Sequence, residues 1–455
     1  MALHSRSGES RPDIEVRPQL VGDSDVTEVP RYRLPERGID AHAAYELVHD
    51  ELMLDGNARL NLATFVTTWM EEEARILIEQ CLDRNIVDKD EYPQSAELEQ
   101  RCVHMLADLW RSPQEDDPTG CSTTGSSEAC MLGGMALLRR WRAKGPSGQP
   151  NLVMGTNVQV CWEKFCRYWD VEPRQVPVSL EHTHLTPEGA VACCNENTIG
   201  VVAILGSTFD GTYEPVKEIA TVLDGLQSER GLDIPIHVDA ASGGFVAPFL
   251  DPDLEWDFRL PRVRSINASG HKYGHVYPGV GWVIWRDSES LPKELVFDVD
   301  YLGGNMPTFS LTFSRPGAQV VAQYYNLVRL GRDGYTRVQQ ACRDNAGWLA
   351  ERIGQMDAFE TLSDGSGIPA FAFRLRDDVE GYTVYDVSEL LRTRGWIVPA
   401  YPMPKDIDDL SVLRVVVRTG FSRDLAEILL TDVRRTVERL EERGGSAEDR
   451  PSFHH

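Results

Sequence analysis

Residues 199–205 read Ile199-Gly200-Val201-Val202-Ala203-Ile204-Leu205, an almost unbroken apolar run in a chain of 455 residues. A strand with one wet face alternates apolar and polar side chains. A run without that alternation belongs to a strand covered on both faces, as in a parallel sheet with helices on either side. The flanking sequence agrees. A helix is expected over 215–229, a short strand over 234–238, another over 265–267, and an antiparallel return strand over 280–285. Upstream, 151–154 reads as a further short strand. Strands alternating with helices define an α/β domain with a mostly parallel sheet.

Two of these strands end in chemistry. His237-Val238-Asp239-Ala240-Ala241 leaves a carboxylate at one strand end, and Ser269-Gly270-His271-Lys272-Tyr273-Gly274 places an amine shortly after the next. Ligands of open α/β sheets sit beyond the carboxyl ends of strands, so the two groups converge. Taken singly, each has a plainer explanation: a solvated surface lysine, and an aspartate that caps a helix or belongs to a loop. A third signal shifts the balance. Gly125-Ser126-Ser127-Glu128-Ala129 precedes an apolar stretch to Leu138 that reads as a helix. Serine capping would explain it alone. Such a start also offers free backbone N–H groups, two hydroxyls and the positive end of a helix dipole, which together form a phosphate cup.

Amine, acid and phosphate cup are the parts that pyridoxal phosphate needs. Lys272 would carry it as a Schiff base, and Asp239 would keep a proton on the pyridine nitrogen so that the ring acts as an electron sink. Thr208, just after the 199–205 strand, is placed to bond the cofactor's phenolic oxygen or a carboxylate. Ser269 and His271 are placed to donate to the phosphate. Gln159, read as lying at the end of the 151–154 strand, is a candidate to stack on the ring, although a surface glutamine is the ordinary alternative.

Composition narrows the classes. A formal net charge of −25 argues against a nucleic-acid surface or docking to anionic lipid. The nine cysteines are odd in number and scattered, with no Cys-x-x-Cys, which fits reduced thiols in a cytoplasmic enzyme better than disulfides or zinc. His182 and His184 lack acidic or sulfur partners nearby in sequence, so no metal site is expected. The polar start has no apolar core and is not expected to be a signal peptide. No run of 18 apolar residues occurs, so no membrane span is expected.

The length suggests more than one domain. Residues 1–25 are polar and read as disordered. Helical periods follow from about Asp40 (Ala44, Leu47, Val48, Leu52), over 71–83, and over 95–110 with Ser95 as N-cap. After Arg315-Pro316-Gly317, helix is expected over 318–330 and 335–355. Strands over 370–375 and 413–417, with helices over 386–394 and 423–442, make a smaller α+β domain. The resulting segmentation is 1–58, 59–342, 343–443 and a tail, 444–455.

Longer strings carry a family resemblance. They include Leu54-Asp55-Gly56-Asn57-Ala58-Arg59, Asn61-Leu62-Ala63-Thr64-Phe65, Glu91-Tyr92-Pro93-Gln94, Asp239-Ala240-Ala241-Ser242-Gly243-Gly244-Phe245, Trp256-Asp257-Phe258-Arg259-Leu260-Pro261 and Gly281-Trp282-Val283-Ile284-Trp285-Arg286. The chain resembles the bacterial and plant glutamate decarboxylases, within the group II pyridoxal-phosphate decarboxylases. The wider group usually has a histidine where this chain has Gln159, which points away from aromatic substrates.

The resemblance implies a fold-type-I enzyme, its large domain built on a seven-stranded sheet. It implies conversion of L-glutamate to 4-aminobutanoate, with Lys272, Asp239, Ser126, Ser127, Ser269, His271, Gln159 and Thr208 at the cofactor. Ser314 would reach the phosphate of a neighbouring subunit's cofactor. Thr64, Phe65 and Asn85 would take the substrate's distal carboxylate, and Arg418 would help hold the α-carboxylate, although Thr419 departs from an arginine often found there. A homodimer with shared sites, assembled into a hexamer, is implied, as is a role in acid resistance or 4-aminobutanoate metabolism. No basic, Trp-containing stretch follows residue 440, so no calmodulin partner is expected. His455, in Pro451-Ser452-Phe453-His454-His455, matches a histidine that closes the site at rising pH; an unstructured tail or tag remnant is the alternative. The same fold serves other amino acids and aldol-type lyase chemistry, and only pocket residues such as Thr64 and Asn85 speak against those.

Overall fold

The computed structural model describes residues 31–114, 116–299 and 306–442. The expected disordered start, the tail and His455 lie outside them. The chain divides into two compact units, Met1–Ala58 and Arg59–His455. In the first, Asp40 caps the helix Ala41–Leu52 by accepting from the backbone N–H groups of His42 and Ala43. Tyr45, Val48 and Leu52 of that helix are exposed.

The second unit is built on a seven-stranded sheet. Its strands are β1 (Gly120–Thr123), β2 (Asn151–Gly155), β3 (Glu172–Val176), β4 (Thr198–Ile204), β5 (Ile236–Asp239), β6 (Val263–Ala268) and β7 (Gly281–Trp285), in the order β1-β7-β6-β5-β4-β2-β3. All neighbours pair in parallel except at β7, which runs antiparallel to β1 and β6. Every residue of β4 is buried, as expected for a central strand. Parallel neighbours require a crossover, and the helix Val216–Arg230 supplies it between β4 and β5. It buries Val216, Ile219, Ala220, Leu223 and Leu226 along one face. Gly231, at φ 72°, ends it in the left-handed conformation that glycine tolerates best.

A hairpin of β8 (Phe297–Val299) and β9 (Met306–Thr308) follows. The helix Ala318–Gly354 is interrupted at Gly331, whose φ of 56° is non-helical, so the expected break near 331–334 is present. A four-stranded antiparallel sheet then forms from β10 (Phe359–Thr361), β11 (Ala370–Leu375), β12 (Ala400–Pro402) and β13 (Ser411–Val416), in the order β10-β11-β13-β12. The helices Val384–Arg392 and Arg423–Glu442 complete its core with Phe371, Phe373, Leu413 and Leu429. Leu62 joins that core from far upstream; its N–H donates to Ile397 and its carbonyl accepts from Val416. A few residues on, Thr67 donates to the carbonyls of His271 and Lys272, which follow β6 of the large sheet. No helix among the described residues is long and apolar enough to cross a membrane.

One expected detail is corrected. Ser95 is not the N-cap of its helix, which spans Pro93–Leu109 behind Tyr92. Proline at the first helical position needs no N–H partner and has the right φ, so the cap lies three residues earlier, at Tyr92.

Candidate active site

The carboxyl ends of β4, β5 and β6 open onto a cavity of about 280 Å³. Asp239 is the last residue of β5, Thr208 follows β4, and Lys272 follows β6. All three line the cavity, with Ser126, Ser127, Gln159, Ser269 and His271. Eight of the residues singled out from sequence thus meet in one space.

The turn carrying Lys272 is pinned on both sides. Lys272 N donates to Ser269, His271 N donates to Val280, and Thr67 Oγ1 donates to the Lys272 carbonyl at 2.7 Å. The amine donates to Ser242 Oγ at 3.2 Å and lies 5.4 Å from the centre of the Phe65 ring. Desolvation lowers its pKa from the ordinary lysine value, and Asp239 partly opposes that shift. A lowered pKa raises the fraction of neutral, nucleophilic amine.

The opposite wall is the start of the helix Ser126–Ala143. Ser269 Oγ donates to Ser126 Oγ at 2.7 Å, joining the two predicted phosphate contacts. Gly279 N–H donates to His271 Nδ1, so the ring proton of the neutral tautomer lies on Nε2, free to donate elsewhere. Burial and the neighbouring Lys272 push the His271 pKa down to about 4. A methyl group on Gly125 would come 2.9 Å from His271 Cε1, so this close approach needs glycine there. Glu128, in the first helical turn, accepts from Thr124 with one oxygen and from Leu311 and Thr312 with the other.

Gln159 lies elsewhere in its element than expected. It is the N-cap of the helix Val160–Tyr168, not a strand end, and its Oε1 accepts from Cys161 N at 2.6 Å. It still faces the cavity. The remaining predicted residues lie outside the lining. Arg418 donates to the carbonyls of Asn61 and Val66 and to Thr68 Oγ1, so it fastens the segment that carries Thr64 and Phe65. Thr64 Oγ1 accepts from Val66 N. Asn85 Nδ2 donates to Ser314 Oγ at 3.2 Å and its Oδ1 accepts from Arg315 N, so these two predicted contacts bond to each other.

Sequence reasoning missed several neighbours. Arg414 places its guanidinium 4.6 Å from the Phe65 ring centre and donates to the carbonyls of Thr208 and Ala63. Cys130 and Cys161 line the cavity beside Asp239, each with a ligand-type atom within 4.8 Å of the others. Trp162, His237 and Asn267 stand behind Asp239. The polar alternation of His237 and Asp239 in a buried strand, matched by Ser265 and Asn267 in the next, was a readable signal for the last two.

Comparison with known proteins places this geometry. Residues 34–376 match the pyridoxal-dependent decarboxylase conserved domain. The chain is 54% identical over 450 residues to the glutamate decarboxylase of Aliivibrio fischeri, covering 96% of this chain and 95% of that one. It is 51% identical over 440 residues to glutamate decarboxylase 1 of Arabidopsis thaliana, covering 95% and 88%. The solved glutamate decarboxylase of Lactobacillus brevis superposes with a TM-score of 0.89 at 44% identity, covering 91% of this chain and 96% of that one. The chain belongs to the pyridoxal-dependent decarboxylase family, with the fold-type-I architecture. Its residues fit the cofactor: an amine, a carboxylate and a hydroxyl-rich helix N-terminus line one cavity of molecular size.

Proposed function

We propose that this enzyme removes the α-carboxyl group of L-glutamate as CO₂ and returns 4-aminobutanoate, consuming one proton per turnover. The observation that carries this is the convergence of Lys272, Asp239 and the Ser126–Ser127 helix start on one cavity, in a chain more than half identical to glutamate decarboxylases over nearly its whole length.

Pyridoxal phosphate supplies the electron sink for the bond that breaks between Cα and the carboxylate. The protein's own groups do the remainder. Lys272 anchors the cofactor through Nζ, and its desolvation keeps that amine reactive. Asp239 holds a proton at the ring nitrogen. Ser126, Ser127, Ser269 and His271 hold the phosphate, with the His271 Nε2 proton available for it. Gln159 sits against the ring, and Thr208 serves the ring or the substrate α-carboxylate.

Thr64 and Phe65 belong to the substrate's distal carboxylate; Arg418 is kept for the α-carboxylate, and its bonds to Val66 and Thr68 also fasten the segment that carries Thr64 and Phe65. Asn85 and Ser314, which bond to each other outside the cavity lining, are read with a homodimer that shares its sites. There Ser314 reaches the cofactor phosphate of the neighbouring subunit, while Asn85 joins Thr64 and Phe65 at the substrate's distal carboxylate. Hexameric assembly and a cytoplasmic setting belong to the same reading, as does a role in acid resistance, since each turnover removes a proton. His455 acts in it as the residue that closes the site as pH rises; deleting His454 and His455 should extend activity toward neutral pH.

The test is a substrate panel on the cofactor-loaded enzyme: L-glutamate, L-aspartate, L-2,4-diaminobutyrate and L-tryptophan, with amine products identified. Only L-glutamate should yield product. Turnover of another member, with none of glutamate, would reject the substrate assignment.

A further inference from the structure

Asp239 sits at the front of a buried hydrogen-bond chain. Its Oδ1 accepts from Ala241 N and Asn267 Nδ2, both at 3.1 Å. Its Oδ2 accepts from Trp162 Nε1 at 2.8 Å and from the weaker donor Cys130 Sγ at 3.5 Å. Asp239 and Cys130 line the cavity, whereas Trp162 and Asn267 are wholly buried behind it.

The chain runs one residue deeper. His237 Nε2 lies 2.7 Å from Asn267 Oδ1, and His237 Nδ1 lies 2.7 Å from Ser265 Oγ. Asn267 must turn its NH₂ toward the carboxylate, because the reverse orientation would set two acceptors face to face. Its oxygen therefore faces His237, which must carry its proton on Nε2 and accept from Ser265 at Nδ1. A neutral imidazole does both. Burial depresses the His237 pKa to about 4, so it is neutral over the ordinary range. The ring is also wedged in place. Trp162 packs edge-on against it at 4.9 Å, and a methyl on Gly133 would come within 2.4 Å of it. These bonds arise from strand register, which sets His237 beside Ser265 and Asp239 beside Asn267.

We propose that Trp162 and the His237–Asn267 pair are positioning residues for the reaction, fixing the Asp239 carboxylate so that it holds the cofactor's ring nitrogen. His237 acts at one remove by setting the direction of the Asn267 amide. The proposal rests on the reading that pairs Asp239 with that nitrogen. A carboxylate gripped from behind on both oxygens cannot rotate away from the cavity, and this preorganisation lies in the fold before the cofactor arrives.

The experiment reconstitutes the enzyme with ¹⁵N-pyridoxal phosphate and records the ring-nitrogen resonance and the cofactor dissociation constant. It compares Asn267→Leu, Trp162→Phe, Asp239→Ala and Phe165→Leu, the last a packing lesion beside Trp162 that spares the hydrogen bonds. Asn267→Leu and Trp162→Phe should each weaken cofactor binding roughly ten-fold, as for loss of a hydrogen bond to a charged group. Both should move the resonance toward that of Asp239→Ala, while Phe165→Leu leaves it in place. If Asn267→Leu does not fold, Asn267→Ser replaces it. Either variant leaving the resonance at the wild-type position, while Asp239→Ala moves it, removes that residue from the proposal. If Asp239→Ala itself leaves the resonance unmoved, the pairing of Asp239 with the ring nitrogen fails instead.

Discussion

The cofactor cavity and the proposed substrate side next to it are built differently. At the cofactor end, Asp239, Lys272, Ser126 and Ser127 stand at the ends of strands and the start of a long helix, with polar atoms toward the space they share. On the proposed substrate side, outside the cavity lining, Arg414 and Arg418 donate to backbone carbonyls, Thr64 Oγ1 accepts from the backbone, and Asn85 and Ser314 bond to each other. The lining of the first comes from one chain, to which the proposed dimer would add Ser314 of the partner subunit. The second is a loop, residues 61–68, stitched between the C-terminal sheet and the Lys272 turn. Rigid elements line the cavity, whereas the element proposed to take the substrate is a tethered loop.

Substitutions can break this contrast. The largest effect belongs to Lys272→Ala, which should lower the rate of 4-aminobutanoate formation by at least about a thousand-fold, because the anchoring nucleophile is lost. Asp239→Ala should cost about a hundred- to a thousand-fold in kcat with KM for glutamate little changed, as for loss of one preorganised electrostatic group.

Acid should act next, through the fold. His237 and His275 are buried, and burial pushes each pKa down to about 4. In the unfolded chain they titrate near 6.5, so between those values the unfolded state binds more protons. Their contribution to stability is therefore complete above about pH 6.5 and is lost as pH falls through about 4, by at most about 3 kcal/mol each. His271 adds a smaller share, since it lines the cavity. Denaturant unfolding of the cofactor-free protein at pH 7 and pH 4.5 checks this, and His275→Gln should flatten the difference.

Smaller effects sharpen the contrast. Ser126→Ala should weaken cofactor binding about ten-fold while preserving kcat at saturating cofactor, measured by reconstitution. Arg418→Lys should raise KM for glutamate several-fold without altering cofactor affinity, because it loosens only the 61–68 segment. Mixing inactive Lys272→Ala chains with impaired Ser314→Asp chains should restore some activity if sites are shared, and none if each chain is self-sufficient.

The cofactor end was legible in the sequence for a physical reason. Strand 199–205, Asp239 and Lys272 follow from apolar runs and from where such runs stop, both local properties. The Ser126–Ser127 stretch was readable as a helix start that offers N–H groups and hydroxyls; Gly125, not a serine, is its N-cap. Short or polar strands were not: β1 is four residues long, and β3, Glu172–Val176, is an edge strand that tolerates Pro173. Gln159 was misplaced because a cap and a strand end look alike in sequence. The bonds of Arg414 and Arg418 join residues some 350 positions apart, and only the fold brings them together. The His237–Asn267–Asp239 chain depends on the lateral register of β5 and β6, which periodicity within a strand does not encode.

The central claim is that Lys272 is the cofactor's anchor. Borohydride reduction of the cofactor-loaded enzyme, followed by peptide mapping by mass spectrometry, tests it most directly. The account predicts a single pyridoxyl-modified peptide carrying Lys272, formed in step with loss of 4-aminobutanoate production. Modification of a different lysine, or a fully reduced enzyme with Lys272 unlabelled, would contradict it.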